Sequence, residues 1–231
     1  VYKRQIYKTS GNTASNEFSF TYNAPNWSQL GVDIDGEAPG DYSGWSVSLS
    51  NDGSIVAIGA MLNNDNNNNV YATGHVRVYQ YNGGPWTKLG DDIDGEAGND
   101  YSGYSVSLSG DGSIVAIGAY LNDGNGNNSG HVRVYSYNSS NDSWSKVGDD
   151  IDGEASGDQS GHSVSLNSDG TIVAIGAPKN NGNGSDKGHV RVYKWRVTDG
   201  ERPSAWRQLG DDIDGINNND YCGHSVSLSS D

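Results

Sequence analysis

Alternating carboxylates recur along this sequence in a pattern that could gather a cation. Asp33-Ile34-Asp35-Gly36-Glu37 returns as Asp92-Ile93-Asp94-Gly95-Glu96 and as Asp150-Ile151-Asp152-Gly153-Glu154, and a further aspartate follows each copy, at Asp41, Asp100 and Asp158. Hard oxygen ligands spaced around a glycine turn are what calcium takes. Asp33, Asp35, Asp41, Asp92, Asp94, Asp100, Asp150, Asp152 and Asp158 are therefore candidate calcium ligands, and calcium is the one cofactor the sequence points to. The plainer reading is that these aspartates cap turns, where Asx side chains bond locally, and pair with an arginine that also recurs. Ile216 stands in place of the glutamate in the last copy, so a glutamate is dispensable there.

A second polar stretch, Asn122-Asp123-Gly124-Asn125-Gly126-Asn127, becomes Asn63-Asn64-Asp65-Asn66-Asn67-Asn68 one repeat earlier, with one carboxylate and no glycine. A metal site needs fixed oxygens at fixed spacing, so this variation points to a tolerant solvated loop. Asn122, Asp123, Asn125, Asn180 and Asn183 are candidate recognition positions in such loops. Arg77, Arg133 and Arg191 recur in a Val- and Tyr-rich segment. They could ring an axis and bind an anion, but a partly buried pair with a linker aspartate suits a planar guanidinium better. His75, His131 and His189 open the same segment, and His162 and His224 follow a Ser-Gly or Cys-Gly. Zinc needs several such ligands converging, so one histidine per repeat reads as a cap on a strand edge. The periodic tryptophans and Tyr79, Tyr135 and Tyr193 could stack on sugars, but their regular placement favours packing between repeats. No Gly-x-Ser-x-Gly elbow is present, and no unique nucleophile, base and acid can be nominated. The expectation is a protein that is not an enzyme.

The elements that must carry these residues repeat with them. Trp27, Trp86, Trp144 and Trp206 mark a period of roughly 60 residues, a length typical of repeat architectures. Phased on them, residues 27–85, 86–143 and 144–205 form three units, 206–231 begins a fourth, and 6–26 reads as the end of a preceding one. Each unit holds four short strands. Ser46 to Ser50 alternates apolar and polar, and Ile55 to Ala60 is near-continuously apolar, the mark of a strand covered on both faces. Asn51-Asp52-Gly53 joins them, and Asp-Gly between apolar runs is a strong hairpin signal. Gly74 to Tyr79 and Trp86 to Leu89 complete the set. Gly59, Gly118 and Gly176 recur in the second strand as structural positions, with the tryptophans and arginines. Tandem four-stranded antiparallel units describe an all-β propeller, here with three full blades and two partial ones. A β-solenoid would have shorter coils, and beaded sandwiches would need more strands.

The formal charge of −15 argues against nucleic acid and anionic membrane surfaces as partners. No apolar run approaches membrane-spanning length. The apolar content of 33% is low, but 10% aromatics and ordered alternation set the chain apart from disordered acidic sequences. Cys222 is the single cysteine, standing where other copies have serine, so no disulfide framework exists. Val1-Tyr2-Lys3-Arg4-Gln5 reads as translated sequencing-library adaptor and is set aside. Both ends are expected to be edges of a fragment.

Ser160-Gly161-His162-Ser163-Val164-Ser165-Leu166, Ile172-Val173-Ala174-Ile175-Gly176-Ala177-Pro178 and Gly188-His189-Val190-Arg191-Val192-Tyr193 together resemble the FG-GAP repeat, the blade of integrin α-subunit propellers and of related extracellular proteins. Ser-Gly stands where Phe-Gly is usual, and Met61 and Tyr120 occupy the place of Pro178 in the other copies. The resemblance implies a binding or adhesion module of a larger extracellular or cell-surface protein. Blade loops would recognise a protein or glycan, with no insertion into a membrane. A structural scaffold, or an accessory propeller of an enzyme, are the alternatives. Calcium-binding members carry an Asp/Asn-rich loop between the first two strands. Asn51-Asp52-Gly53 is too short for that, so the family's calcium site does not transfer.

Overall fold

The computed structural model of the chain describes residues 28–64, 71–182, 184–198, 200 and 202–230. Trp27, Asn183, the 6–26 segment and part of the Asn63 to Asn69 loop lie outside the described residues. The chain divides into residues 1–30 and 31–231, and all the strands described below belong to the second unit.

Three antiparallel sheets follow one another along the chain. The first contains β1 (Ser43–Leu49), β2 (Ile55–Ala60), β3 (His75–Tyr81) and β4 (Trp86–Lys88) in that order, with a two-residue strand β5 (Ile93–Asp94) also paired to β3. The second contains β6 (Ser105–Leu108), β7 (Ile114–Ala119), β8 (His131–Asn138), β9 (Ser143–Lys146) and β10 (Ile151–Asp152). The third contains β11 (Ser163–Leu166), β12 (Ile172–Ala177), β13 (His189–Arg196), β14 (Ala205–Gln208) and β15 (Ile213–Asp214). The first strands β1, β6 and β11 lie side by side, so the sheets form an arc of blades about that inner edge. This is a partial β-propeller. Units phased on tryptophan straddle two sheets, because Trp86 pairs with Tyr81 in the first sheet and Trp144 with Tyr137 in the second. Residues 222–230 run alongside the third sheet without a strand of their own to pair with. There the amide of Leu228 donates to Ser165 Oγ at 2.9 Å, and that of Ser168 to the Ser230 carbonyl at 3.1 Å.

The hairpins form as the Asp-Gly signals require. Asp52 accepts hydrogen bonds from Ser54 N and from the hydroxyls of Ser50 and Ser54, while Gly53 takes a φ of 71° that a side chain would resist. The core lies between sheets and obeys the two-residue period. Val115 and Ile117 of β7 pack with Ile55, Ala57, Val76, Val78 and Ile93 of the first sheet. Ala116, from the other face of the same strand, packs with Val132, Val134, Leu166, Val173 and Ile175. Burying each Val or Ile stabilises by about 1.5–3 kcal/mol.

The serines that alternate in the first strand stitch one blade to the next. Ser46, Ser105 and Ser163 donate to the carbonyls of Gly103, Gly161 and Gly223 at 2.7, 2.7 and 2.8 Å. Ser48 Oγ and Ser107 Oγ accept from Leu108 N and Leu166 N at 2.9 Å. Gly59, Gly118 and Gly176 permit this approach, since an added Cβ would meet the carbonyl oxygens of Gly103, Gly161 and Gly223. The tryptophans also act across the seam: Trp144 Nε1 donates to the Leu89 carbonyl, and Trp206 Nε1 to that of Val147, both at 2.8 Å.

Candidate functional site

Two arrangements bring chemistry-bearing side chains together, and each recurs once per repeat. The first grows from the third strand of each sheet. Alternation along β3, β8 and β13 places His75 with Arg77, His131 with Arg133 and His189 with Arg191 on one face, while Val76 and Val132 between the first two pairs enter the core and Val190 is half-buried. These histidines and arginines are all buried. The short strands β5, β10 and β15 pair with the histidine end of that strand, His75 opposite Asp94, His131 opposite Asp152 and His189 opposite Asp214. In the first two, Ile93 and Ile151 plug the core. The two-residue period turns the flanking aspartates the other way, toward the histidine.

Three triads result: Glu37, His75 and Asp92; Glu96, His131 and Asp150; and Glu154, His189 and Asp212. In each, one ligand atom per residue lies within 4.8 Å of the others. Asp92 Oδ2 and Glu37 Oε2 stand 3.6 and 3.9 Å from His75 Nδ1. Asp150 Oδ2 is 3.8 Å from His131 Nδ1. Asp212 Oδ2 and Glu154 Oε2 are 3.5 and 3.8 Å from His189 Nδ1. The three repeated acidic-histidine clusters can hold ions. Burial pulls the pKa of all three histidines below the ordinary value, against the nearby carboxylates that raise it.

This arrangement divides the linker carboxylates differently from the sequence pattern. Asp92 and Asp94 face His75 of the first sheet, whereas Glu96 reaches forward to Arg133 of the second, at 3.0 Å. Arg77 and Arg191 take a linker glutamate and a linker carbonyl, where an aspartate side chain was expected; only Arg133 comes near a linker aspartate. Arg77 NH1 lies 3.6 Å from Glu37 and Arg77 NH2 donates to the Asp35 carbonyl at 2.9 Å. Arg191 repeats this with Glu154 and the Asp152 carbonyl at 3.5 and 2.8 Å. Arg133 keeps the glutamate but has Asp150 at 3.9 Å and Tyr135 Oη at 2.8 Å in place of the carbonyl. Among the described residues the set Asp33, Asp35 and Asp41 does not form such a triad.

Asp41, Asp100 and Asp158 are buried and already satisfied. Their Oδ2 atoms accept from the backbone of Ala38, Ala97 and Ala155 at 3.0, 3.2 and 2.9 Å. The amides of Asn63, Asn122 and Asn180 donate to the same three atoms at 3.2, 2.8 and 3.0 Å. This moves Asn122 and Asn180 from recognition to structure: both are buried with their amides engaged. Asn125 holds the next linker through the carbonyls of Gly153 and Glu154, and Asp123 accepts from Asn128 N to close its own loop. The Asp52 carboxylate, in the first-to-second-strand loop where family members hold calcium, serves the turn. Its hydrogen bonds lower its pKa to about 2.

The second arrangement is a row of rings at the start of the inner strands. Trp45, Tyr104, His162 and His224 each follow a Ser-Gly or Cys-Gly, and their ring centroids are spaced 5.6, 5.0 and 4.8 Å apart in turn. Tyr42 and Tyr120 widen it, at 6.2 Å from Trp45 and 4.2 Å from Tyr104. Tyr42 and Trp45 are 55% and 49% exposed, so one end of the row meets solvent. At the other end, Gln159, His162, Pro178, Lys179, Asp220, Tyr221 and His224 line an open cleft of about 550 Å³. No single copy of the motif announces this row, because the residue after Gly differs in type between copies. Its signal was the constant offset from Ser-Gly.

The FG-GAP repeat matches residues 32–78, 92–135 and 151–193, together more than half of the chain. The chain belongs to the FG-GAP repeat family. Each match runs from an acidic linker through the third strand of a sheet, so the triads draw on the matched repeats and the linker that follows. No curated protein sequence matches. Among solved structures, a putative 6-phosphogluconolactonase from Bacteroides uniformis aligns with 73% of this chain and 39% of its own, at 16% identity and a TM-score of 0.46. A periplasmic gluconolactonase of Pseudomonas aeruginosa aligns with 71% of this chain and 44% of its own, at 16% identity and a TM-score of 0.45. Sqt1 of Saccharomyces cerevisiae aligns with 73% and 35%, at 16% identity and 0.42. The chain spans less than half the length of these structures.

Proposed function

We propose that this FG-GAP propeller segment is a non-enzymatic binding module of a larger extracellular or cell-surface protein, and that its ligand is a glycan held on the aromatic row. The observation that carries the reading is the continuous run of Trp45, Tyr104, His162 and His224, half-open to solvent and ending in a polar-edged cleft. Flat amphipathic rings bind apolar faces, and a few polar groups nearby fix orientation. Nucleobases also stack on such platforms, but those sites track the backbone with positive charge, and this chain carries −15. A neutral sugar chain fits better. The extracellular setting rests on the likeness to surface propellers, and adhesion would follow from glycan capture. Calcium is not needed by this reading: Asp92, Asp94, Asp150 and Asp152 lie beside histidines, and Asp41, Asp100 and Asp158 accept from buried asparagines.

The test is titration of the chain with neutral oligosaccharides, followed by tryptophan fluorescence and calorimetry. Trp45→Ala and Tyr104→Ala should each weaken binding at least tenfold, and Trp45→Ala should leave the melting temperature within a degree or two. The oligosaccharide should be recovered uncleaved. Absence of binding to any neutral glycan, together with saturable binding of a protein ligand at the same rings, would transfer the site to protein recognition.

A further inference from the structure

The Glu154, His189 and Asp212 triad has a feature the acidic pattern alone lacks. His189 is 1% exposed, and neither of its ring nitrogens has a hydrogen-bond partner. A buried imidazole without partners is costly, since polar groups taken from water need compensation. Its Nδ1 points at Asp212 Oδ2 and Glu154 Oε2, at 3.5 and 3.8 Å, too far for hydrogen bonds. Those gaps suit an ion lying between the atoms. Around a tetrahedral ion with bonds of about 2.0–2.2 Å, neighbouring ligand atoms stand about 3.4 Å apart.

The other oxygen of each carboxylate faces a partner, hydrogen-bonded at Asp212 and ion-paired at Glu154. Gln208 Nε2 donates to Asp212 Oδ1 at 2.6 Å, and Arg191 NH1 lies 3.5 Å from Glu154 Oε1. Partners of this kind orient ligand oxygens, and their loss typically lowers metal affinity 10–100-fold. The equivalent triads are less favourable. Lys88 and Lys146 replace Gln208 and place an ammonium 2.6 and 2.8 Å from Asp92 and Asp150. At the second, His131 Nε2 also accepts from Arg133 Nε at 3.4 Å. A cation at either would face one more positive charge than at the third.

We propose that Glu154, His189 and Asp212 bind a divalent first-row transition ion, zinc being the natural occupant, with a fourth position left to water. One imidazole and two carboxylates suit zinc, manganese or cobalt better than calcium, which takes six to eight oxygens. A neutral imidazole is the form that ligates. The site is independent of the glycan reading.

The experiment uses the whole chain carrying Cys222→Ser, stripped with EDTA, so that the nearby thiol contributes nothing. Cobalt(II) is titrated in while visible d–d absorption is read, and zinc(II) and calcium(II) binding are measured by calorimetry. We expect one tight cobalt site displaced by zinc and not by equimolar calcium. Asp212→Asn and Glu154→Gln should each weaken it at least tenfold with melting temperature in EDTA unchanged, whereas Asp92→Asn and Trp45→Ala should leave it intact. His189→Gln should abolish it, but the two carboxylate variants, at side chains that reach solvent, keep the test valid if that protein fails to fold. Absence of d–d bands, cobalt affinity untouched by both carboxylate variants, or calcium competing on equal terms would each overturn the proposal.

Discussion

Replacing Gly118 with alanine probes the seam on which the blade arc depends. Gly118 lies in β7, and a methyl group there would run into the Gly161 carbonyl oxygen and the Ser105 hydroxyl. Those two atoms form one of the stitches, Ser105 Oγ donating to Gly161 O at 2.7 Å. Making room means rotating Ser105 away or displacing the backbone before β11. Overpacking of this kind costs about 1–3 kcal/mol, and the broken hydrogen bond adds about 1 kcal/mol. Loss of glycine's conformational freedom in the unfolded chain returns about 0.5–1 kcal/mol. The net expectation is a destabilisation of about 1–3.5 kcal/mol, read as a lower urea midpoint in equilibrium unfolding. Gly84→Ala is the control: open space surrounds its Cβ position and its backbone is not left-handed. Its midpoint should stay within about 0.5 kcal/mol of the parent. If Gly118→Ala unfolds at the same urea concentration as Gly84→Ala, the blades do not meet as described and the seam account is refuted.

Other perturbations separate the roles further. Ser107→Ala removes the acceptor for Leu166 N and should cost about 1 kcal/mol in the same urea assay; a neutral result would place water at that seam. Asn122→Asp sets a second carboxylate against buried Asp100, whose pKa is already raised by desolvation. It should destabilise by about 2–4 kcal/mol at pH 7, with partial recovery below about pH 5 as one carboxyl protonates; a pH-independent loss would count against the pairing. For His75, His131 and His189, burial lowers the folded-state pKa from the ordinary 6.5. The unfolded chain therefore takes up these protons first as pH falls. Their contribution is fully present above about pH 6.5 and is lost as pH drops toward the folded values. Melting of the EDTA-treated chain should decline from about pH 7.5 to about 5.5, and His131→Gln should flatten the slope; a flat parent profile would show that the imidazoles are not buried neutral.

The strand plan was legible because its signals are local. Asp52-Gly53, Asp111-Gly112 and Asp169-Gly170 announce hairpins, and the apolar runs beside them are long enough to show their period. Two structural features were not legible for the same reason. The strands β5, β10 and β15 have two residues each, too short for alternation to stand out, so they read as linker. The serines of β1, β6 and β11 show in sequence only as the polar half of an alternation. Their partners are carbonyls and amides of a neighbouring repeat, and no local pattern reports which blade will lie alongside.

The site divides in a similar way. Its residue types were visible, but proximity in sequence suggested that each Asp-x-Asp pair acts with the aspartate downstream as one ligand set. The fold separates it, because Gly95 and Gly153 pass so close to the carbonyls of Thr73 and Ser129 that only glycine fits. That passage carries the chain from one sheet to the next. Carboxylates before the glycine therefore stay with the preceding histidine, while the glutamate after it meets the following arginine. A usable signal was present in two matched alternations, His-x-Arg and Asp-x-Asp, which put like residues on like faces of strands destined to pair. Repetition then sets the same geometry three times, and the side chain at the fourth strand differentiates the copies. Lys88 and Lys146 place a charge on the aspartate where Gln208 places a neutral amide. In a propeller of near-identical blades, that substitution is the difference on which the proposed preference of a cation for the third triad rests.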